Sequence, residues 1–287
     1  MITSLAASGQ TAFAASASGL MRSLDQGRSW HSAFTSLNAD AAISTSAVAL
    51  SPQFATHPTV FAAISGAILR SSDGGDSWEA AQLPTPYPYI TTVVVSPFYE
   101  HDRTLFAASF EDGVFRSTDG GAAWNSWNFG LLDFQILSLA TSAQGNLLAG
   151  TGTGLFTSRN AGRLWREILL PCGHVPILSL ASSPNHLLIG TETQGLYVTQ
   201  GEDQNWQRIG VNDLETVNVL QSEGASILAV TPNELIISRD SGQTWQKLLP
   251  SLLPDELPTA VCAPAGLQVG SPLIVGGNNG SVTRLTT

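Results

Sequence analysis

Short apolar runs, separated by clusters of turn-forming residues, extend along the whole chain. A clear example begins with Ile136-Leu-Ser-Leu-Ala, continues with Asn146-Leu-Leu-Ala-Gly and ends with Gly154-Leu-Phe-Thr-Ser. Runs of this length bounded by Gly, Ser, Asn and Asp are typical of β-strands, and the turn signals recur about every 8–12 residues. No extended helical period accompanies them. The pattern therefore predicts an all-β protein.

An eight-residue motif follows the third apolar run of most repeats: Ser, any residue, Asp, any residue, Gly, two further residues and Trp. It is complete at 23–30, 71–78, 117–124 and 238–245, and Asn replaces Asp in the copy at 158–165. A degenerate copy at 199–206 has Gly201 and Asp203 at the usual Asp and Gly positions. Successive Trp residues of the motif lie 39 to 48 residues apart, the length of a four-stranded propeller blade.

Six motifs predict six blades, and three apolar runs after the last motif predict a seventh. These runs begin at Thr259, Pro272 and Gly280. We therefore predict a single seven-bladed β-propeller over residues 1–287, whose last blade has three strands. The predicted blades are 1–38, 39–86, 87–131, 132–171, 172–211, 212–254 and 255–287. Ring closure would join blade one to blade seven and leave an exposed strand edge near Ser281–Thr287.

The motif has a physical role in the hairpin between the third and fourth strands of a blade, strands C and D. Asp or Asn accepts backbone N–H bonds within the turn, and Gly adopts a positive φ that other residues resist. Trp packs its indole against the neighbouring blade, where it would bury about 200 Å². The residues predicted to have this structural role are Asp25, Gly27, Trp30, Asp73, Gly75, Trp78, Asp119, Gly121, Trp124, Asn160, Gly162, Trp165, Trp206, Asp240, Gly242 and Trp245.

These motifs resemble the Asp-box, or bacterial neuraminidase repeat, family of β-propellers, and the resemblance covers essentially the whole chain. The family includes sialidases, xyloglucan-hydrolysing enzymes, the sortilin receptors and the photosystem II stability and assembly factors. The resemblance therefore implies a fold but no single function. In this family the box is a structural turn at the periphery, which implies that the motif Asp residues fold the chain rather than catalyse a reaction.

The enzymes of that family carry residues that can be sought directly. Sialidases have an Arg-Ile-Pro element ahead of the first box, and this chain has none, reading Met-Arg-Ser at Arg22. Its four Tyr residues lie in unsuitable contexts or on repeat strands. The xyloglucan enzymes cleave between two propellers, whereas this chain predicts one. We therefore expect no catalytic residue.

Charge and composition narrow the function classes further. A net charge of −10 argues against binding to nucleic acid. No apolar segment is long enough to span a membrane and no signal-peptide pattern begins the chain, so we expect a cytoplasmic location. Cys172 and Cys262 are interpreted as free thiols, and we expect neither a metal site nor a cofactor.

Arginine recurs immediately before the box Ser, at Arg22, Arg70 and Arg116, and Arg284 takes the equivalent place in blade seven. These four blades are consecutive around a closed ring. One interpretation is a basic arc that grips carboxylates or an acidic protein. The alternative is that each long side chain pairs with a box aspartate of a neighbouring blade.

Propeller topology sorts the acidic residues by face, because the B-to-C and D-to-A loops open on one face and the other loops on the opposite face. The first face would carry Asp40, Glu111, Asp112, Asp133, Glu192, Asp213, Glu215, Glu234, Asp255 and Glu256. Ten scattered acids define no unique catalytic pair of the kind a glycosidase needs. They are either a solvated rim or a binding surface, for which Glu111, Asp112, Glu192 and Glu234 are our candidates.

Two loops on this acidic face are unusual. The segment 83–89 is Pro-rich and carries Tyr87 and Tyr89, which suit sugar stacking or peptide docking but equally a rigid lid over the blade junction. Another loop places Cys172 and His174 two residues apart, without a third ligand. The predicted function is a non-catalytic scaffold for a protein partner in complex assembly. The alternative is a carbohydrate-binding or glycoside-hydrolase-like propeller that acts through the acidic loops.

Overall fold

A computed structural model describes residues 1–39, 41–184, 186–200, 205–210, 214–248 and 256–287. These residues form seven antiparallel sheets, six with four strands and the last with three. The predicted fold class, a seven-bladed β-propeller with a three-stranded last blade, is confirmed. Each four-stranded blade follows the chain order A-B-C-D, so successive strands pair as simple hairpins.

The strand bounds follow the apolar runs. Blade one contains β1 (Ile2–Ser8), β2 (Thr11–Ser16), β3 (Gly19–Ser23) and β4 (His31–Ser32). Blade two contains β5 (Thr45–Leu50), β6 (Val60–Ile64), β7 (Ala67–Ser71) and β8 (Glu79–Gln82). Blade three contains β9 (Ile90–Val95), β10 (Leu105–Ser109), β11 (Gly113–Ser117) and β12 (Asn125–Ser126). Blade four contains β13 (Ile136–Thr141), β14 (Leu147–Thr151), β15 (Leu155–Ser158) and β16 (Arg166–Ile168).

The remaining blades repeat this arrangement. Blade five contains β17 (Ile177–Ser182), β18 (Leu187–Thr191), β19 (Leu196–Thr199) and β20 (Gln207–Ile209). Blade six contains β21 (Val219–Glu223), β22 (Ser226–Val230), β23 (Leu235–Ser238) and β24 (Gln246–Lys247). Blade seven contains β25 (Pro258–Cys262), β26 (Pro272–Gly277) and β27 (Val282–Thr286). A 3-10 turn at Thr35–Leu37 and a one-turn helix, α1 (Tyr99–Asp102), lie in loops.

The core lies between the faces of neighbouring blades. Strand B is buried along nearly its whole length, as in Leu105–Ser109, because a sheet covers it on each side. Phe13, Phe61 and Phe115 are each fully buried at such junctions, and Phe61 makes an edge-on contact with Tyr99 of the next blade. Continuous apolar runs in place of strict alternation follow from this two-sided burial.

Hydroxyl groups on the first strands tie adjacent blades together. Each donates to a carbonyl at or just before the start of the next blade's first strand. The five pairs are Thr3 to Thr45 at 3.2 Å, Thr91 to Ile136 at 3.0 Å, Ser138 to Ile177 at 3.0 Å, Ser179 to Val217 at 2.9 Å and Thr259 to Ile2 at 2.7 Å. These bonds satisfy buried polar groups and hold the inner ring of strands together.

The last of those bonds closes the ring. Thr259 of blade seven donates to Ile2 of blade one, and Ile2 packs in an apolar cluster with Ala14 and Ala260. In blade seven, β27 pairs with β26 and forms the outer edge of its sheet, since none of the described residues adds a fourth strand there. Residues of β27 are half-buried, apart from the exposed Thr286.

Candidate functional site

Each regular box folds into a turn around one Ser hydroxyl. In box one the Ser23 Oγ accepts the Gly27 N–H at 2.8 Å and donates to the Asp25 carboxylate at 2.8 Å. The same carboxylate oxygen accepts the N–H groups of Arg28 and Ser29, both at 2.9 Å. Gly27 has a φ of 83°, and the box glycines Gly75, Gly121, Gly162 and Gly242 are likewise left-handed.

Three of the box carboxylates gain a further donor. Ser29, Ser77 and Thr244 donate their hydroxyls to Asp25, Asp73 and Asp240, at 2.6, 2.5 and 2.6 Å respectively. These bonds favour the ionised form, so the pKa of Asp25 and that of Asp73 fall well below the ordinary value. Hydrogen bonding lowers the pKa of Asp240 to about 2. Carboxylates held in this way are engaged by their own turns.

Two boxes lack that hydroxyl. Position 123 is Ala, and Asp119 accepts two backbone N–H groups and the Ser117 hydroxyl; burial opposes ionisation here, but the hydrogen bonds leave the pKa of Asp119 lowered. Position 164 is Leu, and Asn160 accepts the Leu164 N–H at 2.9 Å through its one amide oxygen. Among the five regular boxes, the Asn160 side chain accepts fewer hydrogen bonds than the box Asp residues do.

The box Trp residues differ in their hydrogen bonds. Trp30, Trp124 and Trp245 donate to the Gly of their own box, whereas Trp78 and Trp165 reach back to carbonyls of the preceding blade, those of Ala33 and Trp127. Trp206 of the degenerate box is buried, and its indole N–H has no partner among the described residues. Gly201 and Asp203 of that box lie outside the described residues.

The arginines before the box Ser occupy equivalent positions, because each pairs with the same strand B position. Phe13 faces Arg22, Phe61 faces Arg70, Phe106 faces Arg116 and Ile274 faces Arg284. Arg22 donates to the Gly74 carbonyl at 2.7 Å and forms an ion pair with Asp76 at 2.7 Å. Both partners lie in the box of blade two, although neither is the motif Asp73.

Arg70 makes a similar link from blade two to blade three, but it takes its carboxylate from its own blade. It donates to the Gly120 carbonyl at 3.2 Å and forms an ion pair with Glu79 at 2.9 Å. Arg22 and Arg70 are therefore engaged in bonds that join neighbouring blades.

Arg116 and Arg284 have different surroundings. The Arg116 guanidinium stacks on Trp127, 5.0 Å from the ring centroid, and its Nε is buried without a hydrogen-bond partner among the described residues. Burial and the neighbouring Arg163 charge lower the Arg116 pKa. The Arg284 Nε is also buried and without a partner in the described part of the chain. Of the four arginines, Arg22 and Arg70 therefore bond to the neighbouring blade, Arg116 stacks on Trp127, and the Nε of Arg284 is buried.

The candidate acids lie on the loops that the topology predicts, but at separate places around the ring. Glu111 and Asp112 lie between β10 and β11, Glu192 follows β18, and Glu234 follows β22. Glu234 forms an ion pair with Lys247 of its own blade. Glu111 and Glu192 are exposed. Asp40, Asp213 and Asp255 lie outside the described residues.

The Pro-rich loop is ordered by its backbone and exposes its aromatic side chains. Leu83 donates its N–H to the Gly66 carbonyl at 2.9 Å, and the Tyr89 carbonyl accepts the Phe110 N–H at 3.0 Å. Pro88 is buried, while Tyr87 is 80% and Tyr89 is 61% exposed. The loop thus holds two phenol rings in solvent, next to the loop that carries Glu111.

The Cys172 loop brings together few reactive groups. Cys172 is half-buried, and burial raises the pKa of its thiol. His174 lies 3.2 Å from Glu167, while Cys262 is buried in β25, where burial raises its pKa to about 12. Across the described ranges, no group of three or more His, Cys, Asp and Glu side chains could hold a metal ion.

Several exposed apolar residues beside the Tyr loop escaped sequence reasoning. Phe110, Leu132 and Phe134 lie on the same loop face and are exposed. Trp127, which belongs to no box, stacks on Arg116. The sequence did carry a signal for these residues, because turns rich in Gly and Asp are usually polar and these contain apolar residues. The sequence alone, however, does not separate the exposed residues from buried neighbours such as Leu131.

Comparison with known proteins places the fold among solved propellers. YCF48 bound to D1 peptide is 16% identical with a TM-score of 0.75, and the match covers 100% of this chain and 93% of that one. The GH74 xyloglucanase from Xanthomonas campestris is 20% identical with a TM-score of 0.74, covering 99% of this chain and 51% of the enzyme. The extracellular domain of a one component system from B. thetaiotaomicron is 16% identical with a TM-score of 0.75, covering 99% and 38%.

Identities this low establish a shared fold and nothing finer. The chain spans less than two thirds of the sensor domain and of the xyloglucanase, and nearly all of YCF48. No family model and no curated relative matches the sequence. Within the described residues, no helix is long and apolar enough to cross a membrane.

Proposed function

We propose that this chain is a non-catalytic scaffold that holds a protein partner on the face formed by its B-to-C and D-to-A loops. The observation that carries the proposal is the pair Tyr87 and Tyr89, which stand in solvent on a loop whose backbone is hydrogen-bonded to both flanking blades. Aromatic side chains on a preorganised backbone are favourable anchors for binding, because little conformational entropy is lost on association.

The similar propeller YCF48 binds a D1 peptide, which is consistent with this use of the fold. In this proposal the box carboxylates have a structural role, because their hydrogen bonds within their own turns make the scaffold rigid. The cytoplasmic location expected from the sequence stays a prediction.

A carbohydrate-binding or glycoside-hydrolase-like role is the second candidate. The observation that favours it is the backbone hydrogen bond between Phe110 and Tyr89, which joins the loop of Tyr89 to the loop that carries Glu111 and Asp112. An aromatic ring beside carboxylates is a common arrangement at sugar sites. The GH74 xyloglucanase shows that a similar propeller serves in such an enzyme.

Cross-linking in a native lysate, followed by capture of the tagged chain, tests the first proposal. We expect one prominent protein to be captured by the wild type and lost with Tyr87→Ala/Tyr89→Ala. The control is Leu24→Ala, which removes an exposed apolar side chain from the opposite face. Glycan-array binding or hydrolysis that disappears with the same Tyr variant, and no captured protein, would establish the second candidate instead.

A further inference from the structure

Three neighbouring loops form one hydrogen-bonded surface over blades two to four. Tyr89 accepts the Phe110 N–H at 3.0 Å, which joins the Pro-rich loop to the loop 110–112. Gly113 donates its N–H to the Phe134 carbonyl at 3.1 Å, which joins that loop to the loop 127–135. The three loops are therefore fixed relative to one another.

Side chains also hold this surface in place. Asn128 accepts the Val114 N–H at 2.7 Å and donates to the Asp112 carbonyl at 2.8 Å. Asp133 accepts the Gln135 N–H at 2.9 Å and the Thr153 hydroxyl at 2.9 Å. Polar groups of the loops are thus used to order the backbone.

Several large apolar side chains of the same loops are exposed to solvent, although Leu83 and Leu131 are buried. We call the set Tyr87, Tyr89, Phe110, Leu132 and Phe134 the apolar ridge. Their exposed fractions range from 37% for Phe110 to 80% for Tyr87. Exposed apolar residues scattered singly need no explanation, but a cluster on connected, ordered loops is a feature of interaction sites.

The charge around the ridge determines what fits it. The loops 83–89, 110–112 and 127–135 carry Glu111, Asp112 and Asp133 and contain no Arg, Lys or His. Asp112 and Asp133 are partly occupied by loop bonds, whereas Glu111 is exposed and its side chain faces solvent. The ridge therefore presents apolar anchors on loops whose own charged residues are all acidic, although Arg116 of β11 stacks on Trp127 at the start of the loop 127–135.

We infer that the apolar ridge binds a partner-protein segment that carries large apolar side chains together with Lys or Arg. Its apolar side chains would cover the ridge, and its cations would face Glu111 and the neighbouring acids. Electrostatic complementarity of this kind sets specificity and the rate of encounter, while apolar burial supplies affinity. An anionic lipid surface or an acidic segment would meet charge repulsion at the same place. This inference rests on the proposed scaffold function and specifies the chemistry of its partner.

A displayed library of random peptides, selected on the wild-type chain with the Leu132→Ser/Phe134→Ser variant as competitor, tests the inference. We expect enriched peptides to be cationic and to contain at least two large apolar residues. In fluorescence anisotropy, an enriched peptide should bind Leu132→Ser/Phe134→Ser about tenfold more weakly than wild type. Glu111→Lys should weaken binding severalfold, and added salt should reduce wild-type affinity.

Matched controls are Leu24→Ser and Val269→Ser, which remove exposed apolar side chains outside the ridge and should leave affinity unchanged. Thermal melts confirm that each variant is folded. Enriched peptides that are acidic, peptides that bind the ridge variant equally well, or the absence of enrichment would overturn the inference. So would a dimer of this chain that the ridge variant abolishes, because the ridge would then be covered by a second copy.

The two proposals fail in distinguishable ways. If the native partner is still captured by Leu132→Ser/Phe134→Ser and by Glu111→Lys, the scaffold stands and the assigned ridge is wrong. If glycans bind and no protein is captured, both proposals are wrong.

Discussion

At the scale of single residues, the box turns explain why their acids serve the fold. Asp240 accepts two hydroxyls and a backbone N–H within eight residues of sequence, and its pKa is lowered to about 2. A folded-state pKa below the unfolded value stabilises the fold above the unfolded pKa, and this contribution is lost as the pH falls through the folded pKa. The stability of the chain should therefore decline between about pH 4 and pH 2.

Replacing this carboxylate tests the assignment. Asp240→Asn should lower Tm at pH 7, because the amide lacks the charge that Thr244 and the backbone stabilise. The same variant should lose less of its Tm between pH 4 and pH 2, since one titrating group has been removed. Thermal melts followed by circular dichroism measure both effects. Glu111→Gln, which alters an exposed acid outside the boxes, is the control, and an unchanged acid dependence in Asp240→Asn would contradict the argument.

At the scale of strands, the inner ring depends on hydroxyl bonds and on the space left for them. Ser138 donates to Ile177 of the next blade, and the hydroxyl lies directly over Gly150 of strand β14. A Cβ on Gly150 would contact the Ser138 hydroxyl and lie 2.6 Å from the Ile177 carbonyl oxygen. In blade one the equivalent residue is Ala15, and there Thr3 makes the inter-blade bond instead.

Gly150→Ala should therefore destabilise the protein by about 1–3 kcal/mol, because the added methyl overpacks a seam formed partly by backbone. Gly190→Ala, at the equivalent position of blade five, should have the same effect through Ser179 and Val217. Urea unfolding monitored by Trp fluorescence measures the change. If the urea midpoint is unchanged in both variants, the junction between the two blades accommodates the added methyl without loss of stability, and the prediction is wrong.

At the scale of the whole molecule, the ring closes by packing the sheet of blade one against the three-stranded sheet of blade seven. Trp30, Ala12, Cys262 and Ile274 share one apolar cluster across the seam of blades one and seven. Ile2 begins the first strand of its blade as Ile90 does in blade three, and both are buried. The closing seam therefore has a buried apolar core, as the interior seams do.

Two equivalent substitutions compare these seams. Ile2→Ala and Ile90→Ala should each cost about 2–5 kcal/mol, because both leave a cavity at a blade junction. Each should also retain a single cooperative transition in urea. If Ile2→Ala costs far less, or unfolding separates into two steps, the closure is weaker than the seams inside the ring.

The sequence by itself determined the repeat, the number of blades and the chemistry of the box turns. These features could be predicted because the hydrogen bonds of each box are local. They form within eight residues, between a Ser, an Asp or Asn and a Gly. The seventh blade, which has no box, was also predictable, because its three apolar runs keep the spacing of the other strands. Each blade pairs strands that are consecutive in the sequence, so the order of the apolar runs along the chain is also the order of the strands in the sheet.

Only the tertiary structure decided which arginines are engaged and which apolar loop residues face solvent. The backbone carbonyls that Arg22 and Arg70 bind lie about one blade away, in boxes whose intervening residues vary from one repeat to the next. Leu131 is buried and Leu132 exposed, although both stand in one apolar loop segment. Loop backbone geometry and contacts between blades determine such differences, and the local pattern of polar and apolar residues does not encode them.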